Sequence, residues 1–345
     1  MTEDADASTK DGMAPALTYR ATAADVARRA GVSRVAVSRA FTPGASIAEA
    51  TRGKVLTAAA TLGYRPNALA RQLNRRASEI VAFVGGSNHN IYYAELIDRL
   101  LPALQQDGLK TLYVHVGDRA ALADALEEVA EYPVACTVVA TGSLERFDLD
   151  DRQRYGPIVV SGPAEGFDDV DSVGTDSRIG IRLAVDHLVA RGRRSIGCLA
   201  GPADNPSGAQ RAAAFVATLA GHGLAPAFVR HCGYTVAGAA EATRQLLADD
   251  LLPGAIVCGN DMIALGVIDV LRGEAGLAVP AQVAVVGFDD ISLAGWSTIG
   301  LTTLSNPIDQ RIAHLRDLVR RRIAEPEAPI RRILIEPRLI VRDTT

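Results

Sequence analysis

Hydrophobic and polar positions follow two different rhythms along this chain, and the change comes near Glu79. Before it, apolar residues recur at three- and four-residue spacing in short stretches bounded by capping residues and glycine, the period of helices buried on one face. T-A-A-D puts Thr22 at an N-cap with Asp25 three residues on, a capping box that places a carboxylate at the positive helix end. The helix then runs through A-A-D-V-A-R-R-A to Gly31, a residue able to close it in the left-handed conformation. Ser33 caps a second helix, R-V-A-V-S-R-A-F, which stops near Pro43; two helices across a tight glycine turn make a helix-turn-helix. Ala27, Val32 and Val37 supply the contacts between them, leaving Arg34, Val35, Ser38 and Arg39 on the outer face. A third helix is predicted from Ser46 to Leu62, with Ser46 capping and Glu49 returning the bond. Its stripe of Val55, Ala59 and Leu62 closes a three-helix core. Gly53 inside it costs up to about 1 kcal/mol relative to alanine, for no reason visible in the sequence. Asn67 caps a last short stretch, N-A-L-A-R-Q-L-N-R-R, too short to be a stable free helix in water. It reads as a linker that folds when a polyanion neutralises its arginines.

Beyond Glu79 short apolar runs (IVAFVG, TLYVHV, ACTVVA, PIVVS, SIGCLA, AIVCG, VAVVGF) alternate with helical stretches such as YYAELIDRLLPALQQDG and IRLAVDHLVARG. That alternation predicts parallel sheets with helices on both faces. About ten strands in this length suit two doubly wound subdomains better than one sheet. A ligand of such a body would sit beyond the carboxyl ends of the strands, in the cleft between subdomains.

Charge sharpens the division. From Arg20 to Arg76 eleven arginines and lysines face only Asp25 and Glu49, a net +9, while residues 1–19 carry −3. Because the whole chain is −4, residues 77–345 carry −10. A basic module on an acidic body points to a polyanion partner for the first part alone. The chain has 345 residues, 48% of them hydrophobic and 22% charged, which excludes a disordered chain and supports at least two domains. No run approaches the length of a membrane span, and the acidic start MTEDADASTKDG is neither a secretory signal nor a transit peptide. The expectation is a cytoplasmic protein, nucleoid-associated when bound to DNA, with no membrane partner.

Candidate chemistry is mostly negative. Cys136, Cys198, Cys232 and Cys258 form no C-x-x-C pair, and the six histidines have no metal-ligand spacing. Neither a metal nor a cofactor is expected. GGSNHN and GPADNPSG contain glycine, but no complete G-x-G-x-x-G, P-loop or G-x-S-x-G is present. Adjacent Asp289 and Asp290 could suggest acid–base work, yet neighbours in a loop usually point apart; an enzyme is the weakest reading. A sugar-binding protein of the periplasmic type shares the body architecture but leaves the basic head unexplained.

DVARRAGVSRVAVSRAF, the TR-x-K-V of the third helix and LGYRPNALARQL resemble the DNA-binding head of the lactose-repressor (LacI/GalR) family, almost continuously over residues 22–73. The body resembles that family more loosely through IVAFVGGSNHNIYYAEL, GTDSRIG, S-G-A-Q-R, CGNDMIALG, VAVVGFDD, LTTLSNP and the closing RLIVRDTT, with Ile91 where proline is common. The resemblance implies an all-α helix-turn-helix head with a hinge helix, then two doubly wound parallel-sheet subdomains of the periplasmic-binding-protein kind. It divides the chain into a flexible tail (1–19), head (20–66), hinge and linker (67–78) and body (79–345). Three crossings would interleave the body, with 79–176 plus 305–326 in one subdomain and 177–304 plus 327–345 in the other. By the same resemblance Arg34, Val35 and Arg39 read bases, Thr22, Ser33, Ser38 and Asn67 anchor phosphates or helix starts, and Leu73 wedges into the minor groove. An arginine fork suits guanine O6 and N7, while a phosphate contact for Arg34 and a dimer contact for Leu73 stay open. The effector contacts it implies are Tyr92, Tyr93, Asn205, Ser207, Arg211, Tyr234, Asn260 and Asp289. Planar bidentate groups beside aromatic faces suit a sugar or sugar derivative, although Arg211 could hold a carboxylate or pair with Asp289, the tyrosines could be core, and Asn260 could be only a cap. The implied function is an allosteric transcriptional repressor, a homodimer on a palindromic double-stranded operator; with no sequence after RDTT a dimer is favoured over a tetramer.

Overall fold

A computed structural model of the chain describes residues 21–42, 44–65, 78–86, 90–116, 121–140, 152–163 and 169–345. It divides into two units, Met1–Arg76 and Ala77–Thr345.

Among its described residues the first unit has three helices, α1 (Ala23–Ala30), α2 (Arg34–Ala40) and α3 (Glu49–Thr61). The Thr22–Asp25 capping box is complete, and Gly31 ends α1 with a φ of 65°, where a side chain would be strained. Ser33 caps α2 by accepting from the Ala36 amide at 3.2 Å. Val26, Ala27, Val37, Ala40, Val55, Ala58 and Ala59 form the core, with Val32 and Leu62 partly buried against it. The expected Ser46 cap is not made: α3 begins at Glu49 behind Ala48 with no side-chain cap. The segment before it is tied down from inside the helix, since Arg52 donates from Nη1 to the Ala40 carbonyl at 2.7 Å and from Nη2 to that of Ala45 at 3.1 Å.

Among the described residues the second unit contains two six-stranded sheets. The first runs β11-β5-β4-β3-β1-β2, from β1 (Ile80–Gly86), β2 (Lys110–Val116), β3 (Cys136–Ala140), β4 (Ile158–Ser161), β5 (Asp171–Thr175) and β11 (Arg332–Ile335). The second runs β12-β10-β9-β8-β6-β7, from β6 (Ile196–Ala200), β7 (Val229–His231), β8 (Ala255–Cys258), β9 (Ala284–Asp289), β10 (Thr302–Ser305) and β12 (Leu339–Ile340). All pairings are parallel except β10 with β12. Central strands are buried on both faces, which is why they read as unbroken apolar runs. Around them lie α4 (Ile91–Gln106), α5 (Ala121–Ala130), α6 (Arg152–Tyr155), α7 (Ser177–Ala190), α8 (Pro206–Gly221), α9 (Val236–Ala248), α10 (Asp261–Ile268) and α11 (Ile308–Ala324).

The chain crosses between the lobes three times: from β5 into α7, from β10 into α11, which packs on α4, β4 and β5, and from β11 into β12. One expected boundary needs correction. Residues 327–345 do not all belong to the second lobe, because Arg332–Ile335 extends the first sheet beside β5 and only the segment from Leu339 pairs with β10. Asp171, fully buried, anchors this return: it accepts from Arg322 Nε at 2.6 Å and from the Arg331 amide at 2.6 Å.

Candidate functional site

The head presents one open face. Arg34, Val35, Ser38 and Arg39 are all exposed on α2, at the three- and four-residue spacings that share a helix face. Val35 is 60% exposed, an apolar side chain left in solvent while Val37 and Ala40 fill the core behind it. Among the described residues Arg34 and Arg39 make no ion pair, whereas Arg28 on α1 is held by Asp25 at 3.1 Å. Thr22 and Ser33 stand at the starts of α1 and α2, their side chains accepting from backbone amides. Asn67 and Leu73 lie outside the described residues.

In the body a cavity of about 470 Å³ opens at the carboxyl ends of the strands. Its walls come from both lobes. Gly86, Val116, Ala140, Ser161 and Thr175 end β1 to β5, while Pro202, Asn260 and Asp289 follow or end β6, β8 and β9. All eight residues named from the sequence as effector contacts line it.

Helix starts supply several of them. Asn90 caps α4, accepting from the Tyr92 amide at 3.1 Å, and so aims Tyr92 and Tyr93 inward. These rings meet edge to face with centroids 5.6 Å apart. Tyr92 is buried with no partner for its hydroxyl, and burial pushes both phenols above their ordinary range. Asn205 caps α8 by accepting from the Gly208 amide at 3.1 Å; the Tyr234 hydroxyl lies 3.5 Å from the same oxygen. Ser207 sits in the first turn of α8, half-buried. Asn260 caps α10, accepting from the Ile263 amide at 2.9 Å, and its Nδ2 is buried without a partner. Capping uses only the oxygen and leaves the amino group over.

The charged members are almost wholly buried. Arg211 stacks its guanidinium 3.7 Å from the Phe288 ring centroid, donates to the Gly259 carbonyl and faces Asp289 Oδ1 at 3.9 Å. Burial raises the Asp289 carboxyl above its ordinary value, opposed by Arg211 and by a hydrogen bond from Asn306. Asp289 and Asp290 both take positive φ, 123° and 53°, a conformation that is strained for residues with a side chain. Arg342 braces the turn, pairing with Asp290 at 2.7 Å and with the Leu301 carbonyl at 2.8 Å.

Sequence reasoning missed a polar network beside Asp289. Asn306 Nδ2 donates to Asp289 Oδ1 at 2.9 Å, and Thr175 Oγ1 donates to Asn306 Oδ1 at 2.6 Å. Arg311 on α11 donates to Thr175 Oγ1 at 2.8 Å, Asn306 Oδ1 at 2.9 Å and the Val173 carbonyl at 2.6 Å. Thr175 and Asn306 lie where the chain crosses between lobes, so hydrogen bonds run unbroken from the cavity carboxylate to two of the three crossings. Behind Asp289, fully buried Asp261 accepts from the Thr303 hydroxyl at 2.5 Å and the Ile291 amide at 2.9 Å; burial lifts its pKa to about 7.

Among the described residues no group of three or more His, Cys, Asp or Glu is arranged to hold a metal, and no helix is long and apolar enough to cross a membrane. Cys136, Cys198 and Cys258 are buried free thiols within strands, and Cys232 is half-buried.

Comparison with known proteins matches residues 22–67 to bacterial regulatory proteins, lacI family, and residues 185–345 to a periplasmic binding protein-like domain. The ribose operon repressor of Escherichia coli (strain K12) is 31% identical over 327 residues, covering 93% of this chain and 99% of the relative. The structure of the lac repressor dimer bound to operator and the anti-inducer ONPF superposes with a TM-score of 0.83 at 27% identity, over 95% of this chain and 99% of that one. A transcriptional regulator CelR–cellobiose complex gives 0.70 at 27% identity, over 94% of this chain and 100% of that one.

Proposed function

Because the chain belongs to the lacI family of bacterial regulatory proteins, we propose that it is a sequence-specific DNA-binding repressor whose operator affinity is set by a small effector, a sugar or sugar derivative, held in the body cavity. The observation that carries this is the coexistence in one chain of an open basic helix face and a cavity walled by both lobes. In this reading α2 enters the major groove, Arg34 and Arg39 read guanine edges, and Val35 meets an apolar feature such as a thymine methyl. Thr22, Ser33 and Ser38 hold the phosphate backbone, with Asn67 and Leu73 assigned to the hinge and its minor-groove wedge. A two-fold palindromic operator calls for a homodimer, working in the cytoplasm on nucleoid DNA. The body binds and transmits; no catalytic step is assigned to it.

Coupling follows from the network at Asp289. A ligand that takes its carboxylate competes with Asn306, and Asn306 and Thr175 belong to the crossings that set the angle between lobes. The ligand thus favours one angle over another, a differential worth about 1–3 kcal/mol in typical allosteric proteins and necessarily reciprocal between effector and operator.

Selection from randomised duplex DNA by the purified protein tests the reading, run with and without a pool of sugars and sugar derivatives. Recovery of a short palindrome whose enrichment changes with the pool supports it; a folded protein that recovers no preference under either condition overturns it. Binding should also weaken steeply between low and physiological salt as phosphate counterions are released.

A further inference from the structure

We propose that the cavity selects an anionic effector, the acid or phosphate ester of a sugar, and that Arg311 sets this preference. The inference deepens the effector reading above and rests on it.

The first support is a count of buried charge. Two guanidinium groups in the cavity wall are buried, Arg211 from the second lobe and Arg311 from the first, against one buried carboxylate, Asp289. Asp204 stands exposed at the rim. Asp261 turns away from the cavity toward Thr303 and Ile291. Arg211 has Asp289 in front of it at 3.9 Å. Arg311 makes no ion pair with a carboxylate: its hydrogen bonds go to the neutral oxygens of Ser161, Val173, Thr175 and Asn306, at 3.4, 2.6, 2.8 and 2.9 Å, and the one buried carboxylate it feels, Asp289, is shared with Arg211. Guanidinium does not deprotonate in proteins, and two buried cations sharing one carboxylate leave a charge uncompensated, which is costly. A ligand anion supplies the missing charge.

The second support is independent of charge. Tyr92 Oη, Arg211 Nε, Asn260 Nδ2 and Arg311 Nε are buried without hydrogen-bond partners, and all four residues line this one cavity. Each of these atoms can donate. Three of them, the two Nε and Nδ2, have no acceptor role. The wall is therefore short of acceptors. A carboxylate or phosphate brings acceptor lone pairs without donors, whereas each hydroxyl of a neutral sugar brings a donor as well. With Arg211 and Arg311 on α8 and α11 of opposite lobes, an anion attracted to both also draws the lobes together.

The test is isothermal titration of the full-length protein with three series: ribose, glucose and galactose; gluconate, glucuronate and galacturonate; ribose 5-phosphate and glucose 6-phosphate. At least one anion should bind about tenfold or more tightly than its neutral parent, the worth of one charge-assisted hydrogen bond. Which anionic series binds separates carboxylate from phosphate. Arg311→Gln should reduce the acid to the affinity of its parent, and Arg311→Lys should retain the preference at lower affinity. Neutral parents binding as well as the anions, no anion binding at all, or an unchanged preference in Arg311→Gln would each overturn the proposal. Should Arg311→Gln fail to fold, the wild-type series decides alone. Operator affinity followed by fluorescence anisotropy in the same titrations keeps the two readings apart. A neutral sugar that shifts it leaves the repressor standing and removes the charge preference; an anion that binds without shifting it does the reverse.

Discussion

Gly201 follows β6 directly, and a methyl group built on it would overlap the ring of Tyr234 at its hydroxyl end. All three of the nearest atoms belong to that one side chain, so the obstacle to Gly201→Ala is a movable tip and not the backbone. If the ring moves only enough to clear the methyl, the overpacking costs about 1–3 kcal/mol of body stability. If it swings out, the cavity loses an aromatic face worth about 0.5–1.5 kcal/mol to a bound ligand, or about two- to tenfold in affinity. The variant should therefore fold, bind operator as the wild type does without effector, and bind effector several-fold more weakly. Titration calorimetry with a ligand the wild type binds, urea unfolding and operator anisotropy read the three quantities. Tyr234→Ala supplies the control. Once the ring is gone so are the three closest atoms to the added methyl, so the double variant should be no weaker for effector than Tyr234→Ala alone, a non-additive cycle. Additive losses, or an unaltered effector affinity in Gly201→Ala, would refute the idea that these two positions compete for one volume.

Arg39→Ala should cost about 1–3 kcal/mol on the selected operator and relax its base preference; unchanged discrimination in competition with point-mutated operators would remove α2 from the major groove. Asp261→Asn should flatten the pH dependence of stability. With the folded carboxyl at about 7 and the unfolded one near its ordinary value, the folded state binds the extra proton, so this group's contribution falls as pH rises from about 4 to 7. Asn can accept from Ile291 and donate to Thr303, so Tm at pH 8 should rise relative to wild type while Tm at pH 5 changes little; an equal shift at both would place the effect elsewhere. Gly53→Ala should stabilise the head by about 0.5–1 kcal/mol, because a methyl there meets nothing within 4 Å; a lower head Tm would contradict this.

What the sequence revealed and what it hid have physical reasons. Caps and glycine act on their nearest neighbours, so Thr22, Ser33 and Gly31 could be placed from local spacing alone. Ser46 failed because α3 starts at Glu49 behind Ala48, two residues past the serine, with no side-chain cap, while Arg52 ties the approach through its carbonyls, a long-range bond that spacing does not display. Two-residue β12 and three-residue β7 are too short to show a period, and β5 is interrupted by glycine and serine. The resemblance drew the eight cavity residues together, but Arg311, Asn306 and Thr175 were overlooked. Arg311 reads as one more charge in a charged helix. Its position was nonetheless legible: Arg311, Leu315, Leu318 and Arg322 recur at spacings of four, three and four, and all are buried, so the two arginines stand in the apolar stripe itself. A charge in register with the core stripe needs a reason.

The three crossings have a consequence for how such proteins can be recombined. Head and body are joined by a single passage of the chain, so one cut exchanges a DNA address without disturbing a sensor. The two lobes cannot be traded that way, since α11 and β11 complete the first lobe only after the second has been threaded. A gene fusion with one breakpoint ahead of β11 would pair walls from two different cavities and give the first sheet an edge strand from the other parent. Address and sensor can therefore diverge as separate cassettes, while the two walls of the cavity are inherited together and must change residue by residue.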